Sequence, residues 1–139
     1  MLILDTDHIS ELRRGSPLAQ VLLDRLGAAK QQIGTTIISI EEHLRGRLAQ
    51  TARARDPQRA IQLYGRLQEF LQDLPQWLIL PWDQKSAELF RDLQSQRLGV
   101  GTMDLKIASI VLANGAKLLS RNLRDFERIP KLDVEDWLA

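Results

Sequence analysis

The chain contains no cysteine, which excludes disulfides, thiolate nucleophiles and cysteine-based zinc or iron–sulfur sites. It has only two histidines, His8 and His43, too few for a histidine-rich zinc site. Any metal must therefore be held mainly by oxygen, which points to magnesium or manganese. An excess of one charge is also lacking: 19 Lys and Arg against 18 Asp and Glu leave a formal net charge of +1. That sum does not announce a nucleic-acid binder, although it hides any basic patch beside an acidic site. No apolar run approaches the roughly 18 residues needed to span a bilayer. Asp5 and Asp7 come too early for the apolar core of a signal peptide. A soluble cytoplasmic protein without membrane contact is expected. Internal repeats, low-complexity tracts and Pro/Gly-rich linkers are missing too. The 139 residues suffice for one domain with a sizeable core and are too few for two ordinary ones, so a single domain over 1–139 is expected.

What is present begins with Leu2-Ile3-Leu4-Asp5-Thr6-Asp7. Three apolar residues end on an acid and then on residues able to cap a helix. A buried parallel strand delivers a carboxylate in this way to the carboxyl edge of a sheet, where open α/β folds keep their sites. A carboxylate there is costly unless a cation shares the site.

The periodicity predicts a strand over 2–5 and two helices, one with Ile9 and Leu12 and one with Leu18, Leu22 and Leu26, on either side of Gly15-Ser16-Pro17. A second strand is expected over 34–38. A helix is expected from Ser39 with Ile40, Leu44 and Leu48, and another from Asp56-Pro57. Trp77–Leu80 reads as a strand, followed by helices capped by Asp83 and by Thr102. Asn114-Gly115 marks a turn before a strand over Lys117–Ser120, and Val134 lies in a fifth strand. Strands separated by helices imply right-handed crossovers and a mostly parallel sheet. The fold class is α/β, a three-layer sandwich.

Polar groups fall just after a strand or at a helix start at Asp5, Glu42, Asp104, and Asn122 with Asp125. Each has a structural reading. Ser39 and Glu42 have capping-box spacing, and an acid in a helix's first turn, as at Asp104, is favoured by the macrodipole. Asp5 is different, because capping seldom requires an acid directly after a buried strand. The apolar stripe of Ile40, Leu44 and Leu48 would turn Glu41 inward, whereas the capping spacing favours Glu42; the residues leave both open. Convergent carboxylates raise one another's pKa, and a divalent ion removes that penalty. Such an ion polarises a phosphate oxygen and activates water, so phosphodiester hydrolysis is the reaction these residue types suit.

The segments Leu4-Asp5-Thr6-Asp7, Ser39 through Gly46, Asp104–Ala108 and Leu118 through Pro130 together resemble the PIN-domain ribonucleases, in particular the VapC-type toxins of bacterial toxin–antitoxin pairs. The resemblance runs from the first strand to Trp137. By position it implies Asp5, Glu42 and Asp104 as metal-binding acids, Glu42 standing three residues after Ser39 and four before Gly46. It implies Thr6 and Ser120 as hydroxyls that help hold the site. Many family members have Asp where this chain has Asn122, and Asp125, one helical turn onward, is the substitute. The resemblance further implies a PIN-like fold, magnesium or manganese as cofactor, an RNA substrate, a homodimer, and a cognate antitoxin that inserts a segment into the active-site groove.

Other polar residues carry competing readings. Asp7 reads as an N-cap, and His8 and His43 as surface or cap residues. Arg45 and Arg47 lie close enough to the Glu42 motif to contact RNA phosphates, and Lys106 and Arg121 flank ligand positions and could steady a substrate phosphate. The three tryptophans read as core or interface packing. Two other functions fit parts of the pattern. Asp5-Thr6-Asp7 imitates the nucleophile motif of haloacid-dehalogenase-type phosphatases, and Asn122 suits a non-catalytic PIN-like binding module.

Overall fold

The computed structural model describes residues Met1–Ala139. Five short strands, β1 (Leu2–Leu4), β2 (Ile33–Thr36), β3 (Leu78–Leu80), β4 (Lys117–Leu119) and β5 (Asp133–Glu135), form one sheet in the order β3-β2-β1-β4-β5. Every pairing is parallel. The chain moves outward from β1 to β3 and then returns to the other side of β1 for β4 and β5. The direction of winding therefore reverses between β1 and β4, and their carboxyl ends flank the crevice that such a reversal opens.

Seven helices surround the sheet: α1 (Thr6–Arg14), α2 (Pro17–Ala29), α3 (Ile37–Arg53), α4 (Pro57–Asp73), α5 (Gln84–Ser95), α6 (Thr102–Ala113) and α7 (Leu123–Phe126). Alternation along the strands sorts them into layers. Ile3 and Leu118 pack with Leu93 of α5, Ile107 and Ile110 of α6 and Phe126 of α7. Leu2, Leu4 and Leu119, facing the other way, pack with Ile9 of α1 and Leu22 and Leu26 of α2. β1 is thus buried on both faces, as its unbroken apolar run requires. Each fully buried Leu or Ile contributes about 1.5–3 kcal/mol. The result is the expected three-layer sandwich. No helix is long and apolar enough to cross a membrane.

At one position the sheet requires glycine. A Cβ on Gly34 would stand 2.8 Å from the Leu78 carbonyl oxygen of the neighbouring strand, so any side chain there would push β3 away from β2.

Strands β1, β3 and β4 are each one residue shorter than the sequence reading, and three helix starts differ from it. The second strand ends at Thr36, not at residue 38, because the Thr36 hydroxyl accepts the Ser39 N–H at 3.0 Å and starts α3 at Ile37. Ile37 and Ile38 are β-branched, and their strand preference yields to that cap. Glu42 is then the sixth helical residue, so no capping box joins it to Ser39. The N-cap of α6 is Gly101, with Thr102 the first helical residue. Asp7 is not the N-cap of α1; Asp5 is, accepting the Thr6 N–H. The caps at Asp56 and Asp83 are as expected. Trp137 is buried and Trp77 packs against the same cluster, while Trp82 is partly exposed and meets Phe90 edge-on.

Candidate active site

Asp5 leaves β1 directly into α1, and Ser120 follows β4 on the adjacent strand. Parallel pairing sets Leu4 beside Leu119, which places the next residues side by side at the crevice. The Ser120 hydroxyl donates to Asp5 Oδ2 at 2.8 Å, and the Thr6 N–H donates to Asp5 Oδ1 at 2.8 Å. Asp5 is buried. Burial, and next the neighbouring Asp7, push its carboxyl up to about 6 against these two hydrogen bonds.

Glu42 approaches from α3. The Thr6 hydroxyl donates to its Oε2 at 3.3 Å, while Oε1 is buried with no partner. Burial, then Asp5 and Asp104, raise Glu42 to about 7. Glu41 points away and pairs with Arg45 at 2.6 Å on the exposed side of the helix, which decides the choice that periodicity left open. Asp104 comes from the first turn of α6 and is raised by burial and by Asp125. Asn122 lies between the two: its amide donates to Asp104 Oδ2 at 3.0 Å and to Asp125 Oδ2 at 3.2 Å. Its own N–H donates to Ser120 Oγ at 3.0 Å. A neutral amide here joins two carboxylates that would otherwise repel.

No three acid or histidine side chains form a closed ligand group as they stand. The donor chemistry nonetheless fits a hard divalent cation. Only oxygen donors are offered, Glu42 Oε1 is buried without a partner, and Asp5, Glu42 and Asp104 are all raised partly by other carboxylates. A cation among them would relieve that repulsion.

Behind this cluster lies a network absent from the sequence reading. His8 is fully buried, not a surface residue. Its Nε2 accepts the Trp137 N–H at 3.2 Å, so the proton sits on Nδ1 and is donated to Asp7 Oδ1 at 2.6 Å. Asp7 Oδ2 accepts the Arg121 N–H at 2.9 Å. Burial pushes Asp7 up, but the bonds from His8 and Arg121 outweigh it and hold the carboxyl below its ordinary value. His43 is also buried, stacked on Phe70.

The remaining candidates are engaged elsewhere. Arg45 is held by Glu41. Lys106 lies 5.9 Å over the Trp82 ring. The Arg121 guanidinium reaches the Leu138 carbonyl at 3.5 Å. Beside Glu42, a cavity of about 600 Å³ opens between α1, α3 and α4, with Arg13, Arg47 and Arg66 in its wall. Arg13 and Arg66 escaped the sequence reading. A signal for Arg13 exists: Thr6, Ser10 and Arg13 follow helical spacing and make a polar stripe along one face of α1.

The fold and site define a class: a three-layer, parallel α/β protein with an acidic site at the switch point of its sheet. The PIN domain model matches residues 2–132, and the chain belongs to the PIN domain family. Ribonuclease VapC2 of Rickettsia felis is 42% identical over 51 residues, 37% of this chain and 38% of that protein. The matched stretch thus spans well under half of that relative. The VapBC2 structure from R. felis bound to a promoter DNA fragment aligns with a TM-score of 0.73 at 24% identity over 98% of each chain. A toxin–antitoxin complex from Klebsiella pneumoniae aligns at 0.71 and 22% identity, over 99% of this chain and 98% of that one. These structural likenesses concern the fold. The family displaces the phosphatase alternative, and Asp7, engaged by His8 and Arg121, is in no position to serve as that enzyme's second acid.

Proposed function

We propose that this protein is a metal-dependent endoribonuclease, one domain over 1–139, acting as the toxin of a toxin–antitoxin pair in the cytoplasm. The observation that carries this reading is the convergence of Asp5, Glu42 and Asp104 at the switch point, each raised by burial and by neighbouring acids. These three residues would hold a magnesium or manganese ion, with Asn122 or Asp125 completing the site. When bound, the ion supplies Lewis-acid polarisation of a phosphate oxygen and a water of lowered pKa.

The chain's own groups do the positioning. Ser120 and the Thr6 N–H fix both oxygens of Asp5, and the Thr6 hydroxyl fixes one oxygen of Glu42, leaving Oε1 as the oxygen without a protein partner that would face the ion. Asn122 orients Asp104 and Asp125. A cognate antitoxin and a homodimer are proposed on the likeness to the Klebsiella toxin–antitoxin complex and on the family resemblance.

The test is cleavage of a mixed structured RNA pool, including tRNA, with magnesium, manganese or EDTA. Discrete cuts that need the metal and disappear in a folded Asp5→Asn variant are expected. Undiminished cutting by that variant would sink the assignment. No cutting by partner-free protein would favour the binding-module alternative.

A further inference from the structure

Three side-chain polar atoms in this chain are buried without a partner: Arg13 Nε, Glu42 Oε1 and His43 Nε2. All three belong to residues lining the one cavity between α1, α3 and α4. A buried polar atom without a partner is unusual and calls for one. Of the three, Arg13 Nε is a fixed donor and Glu42 Oε1 is an acceptor already counted with the acid cluster, so these atoms mark a polar lining and not the kind of partner it takes.

The charges say which kind. Arg13, Arg14, Arg47 and Arg66 line the cavity against Glu42 and Glu69, and no hydrophobic residue does. Arg13 is tied to Asp73 and Arg14 to Glu11, whereas Arg47 and Arg66 form no ion pair. Burial and the nearby Arg13 and Arg66 hold Arg47 below its ordinary value, with Glu69 acting the other way. Cations crowded in this way gain most from an anion, and arginine's planar fork matches phosphate.

Gly46 adds an independent observation. It sits inside α3, where glycine is destabilising relative to alanine, yet a Cβ there would meet nothing within 4 Å. Packing does not require the glycine. Its bare backbone lines the cavity between Glu42 and Arg47 and leaves room for a ligand.

We propose that this cavity is a subsite for a backbone phosphate of single-stranded RNA, adjoining the phosphate to be cut, with Arg47 and Arg66 as its contacts. Glu42 belongs both to the acid cluster and to the cavity wall, which sets the two side by side. An acidic segment of a protein partner is the competing occupant. A docked peptide characteristically buries apolar anchors at the centre of its interface, and this wall offers none. The inference rests on the nuclease reading, and the test keeps the two apart.

Affinity for a fluorescent single-stranded RNA is measured across a salt series with the full-length protein carrying Asp5→Asn. Arg47→Ala and Arg66→Ala are added singly and together, with Arg91→Ala on the distant α5 as the matched loss of one charge. Each cavity substitution should weaken binding by about tenfold and reduce the salt slope by about one, and Arg91→Ala should do neither. In the active protein the same substitutions should raise KM and leave kcat nearly unchanged, with Arg47→Lys recovering part of the loss. Unchanged affinity and slope would overturn the proposal. So would an equal loss in Arg91→Ala, or a loss confined to binding of a poly-glutamate peptide. Protein that cuts no RNA yet shows this binding pattern would refute the nuclease reading and keep the subsite. Protein that cuts with unaltered KM in the arginine variants would do the reverse.

Discussion

Ser120 Oγ stands 2.8 Å from Asp5 Oδ2, joining residues 115 positions apart in sequence. The bond lies across the reversal point of the sheet, at the end of the register that pairs Leu4 with Leu119. It lowers the Asp5 pKa against the burial that raises it, so the hydroxyl favours the ionised carboxylate that a cation needs.

Ser120→Ala removes that donor. Supporting residues of metal ligands typically contribute about 10–100-fold in metal affinity or activity, and a loss in that range is expected for magnesium. Calorimetric titration of the variant checks it. Affinity equal to that of the unaltered protein would show that Asp5 is oriented without Ser120.

The raised acids predict a sign for the pH dependence of stability. The folded state holds the Asp5 and Glu42 protons more tightly than the unfolded one, so their contribution is fully present below the unfolded values of 3.8 and 4.5. It is lost as pH rises through about 6 and about 7. Acids outside this cluster such as Asp83 and Glu135 are lowered by their hydrogen bonds and act in the opposite sense. The clean quantity is therefore a difference. Without metal, Asp5→Asn should gain Tm relative to the unaltered protein as pH rises from 3.8 to about 6, and saturating magnesium should reverse the gap. A gap independent of pH would contradict the raised value of Asp5.

Asn122→Asp replaces a donor to Asp104 and Asp125 by a third carboxylate. In EDTA at pH 8 the variant should melt below the unaltered protein, and added magnesium should raise its Tm by more. Thermal denaturation with and without the cation reads both. A variant as stable in EDTA as the unaltered protein would mean that the amide does not bridge these acids.

Gly46→Ala should raise stability by up to about 1 kcal/mol, since the methyl gains helix propensity and meets no atom within 4 Å. Urea denaturation measures it. A destabilised variant would show that the space beside Gly46 is not free.

The strands and the acids were legible because each is announced locally: an apolar run ending on a polar residue, or an acid in a first helical turn. What escaped depended on partners distant in sequence. Nothing near His8 reveals that its Nε2 meets the Trp137 N–H, so a buried imidazole read as a surface one. Thr36 as the cap of α3 was hidden by the strand preference of Ile37 and Ile38. The Glu41/Glu42 ambiguity was real in one dimension, because adjacent helical residues straddle the edge of the apolar face. Thr6 and Arg45 settle it in three. Arg66 lies on α4, and only the packing of that helix against α3 brings it to the wall beside Glu42.

The distance along the chain between Asp5 and Ser120 has a temporal meaning. Synthesis proceeds at about 5–20 residues per second, so Ser120 follows Asp5 by roughly 6–23 seconds. Throughout that interval β1 has neither β4 beside it nor the hydroxyl that orients its carboxylate, and Asn122 has yet to be added. A nascent chain on its ribosome, surrounded by RNA, carries the acids of the proposed site without their arrangement. The parallel order of the sheet thereby delays the arrangement of these acids until β4 and the residues that follow it have been made.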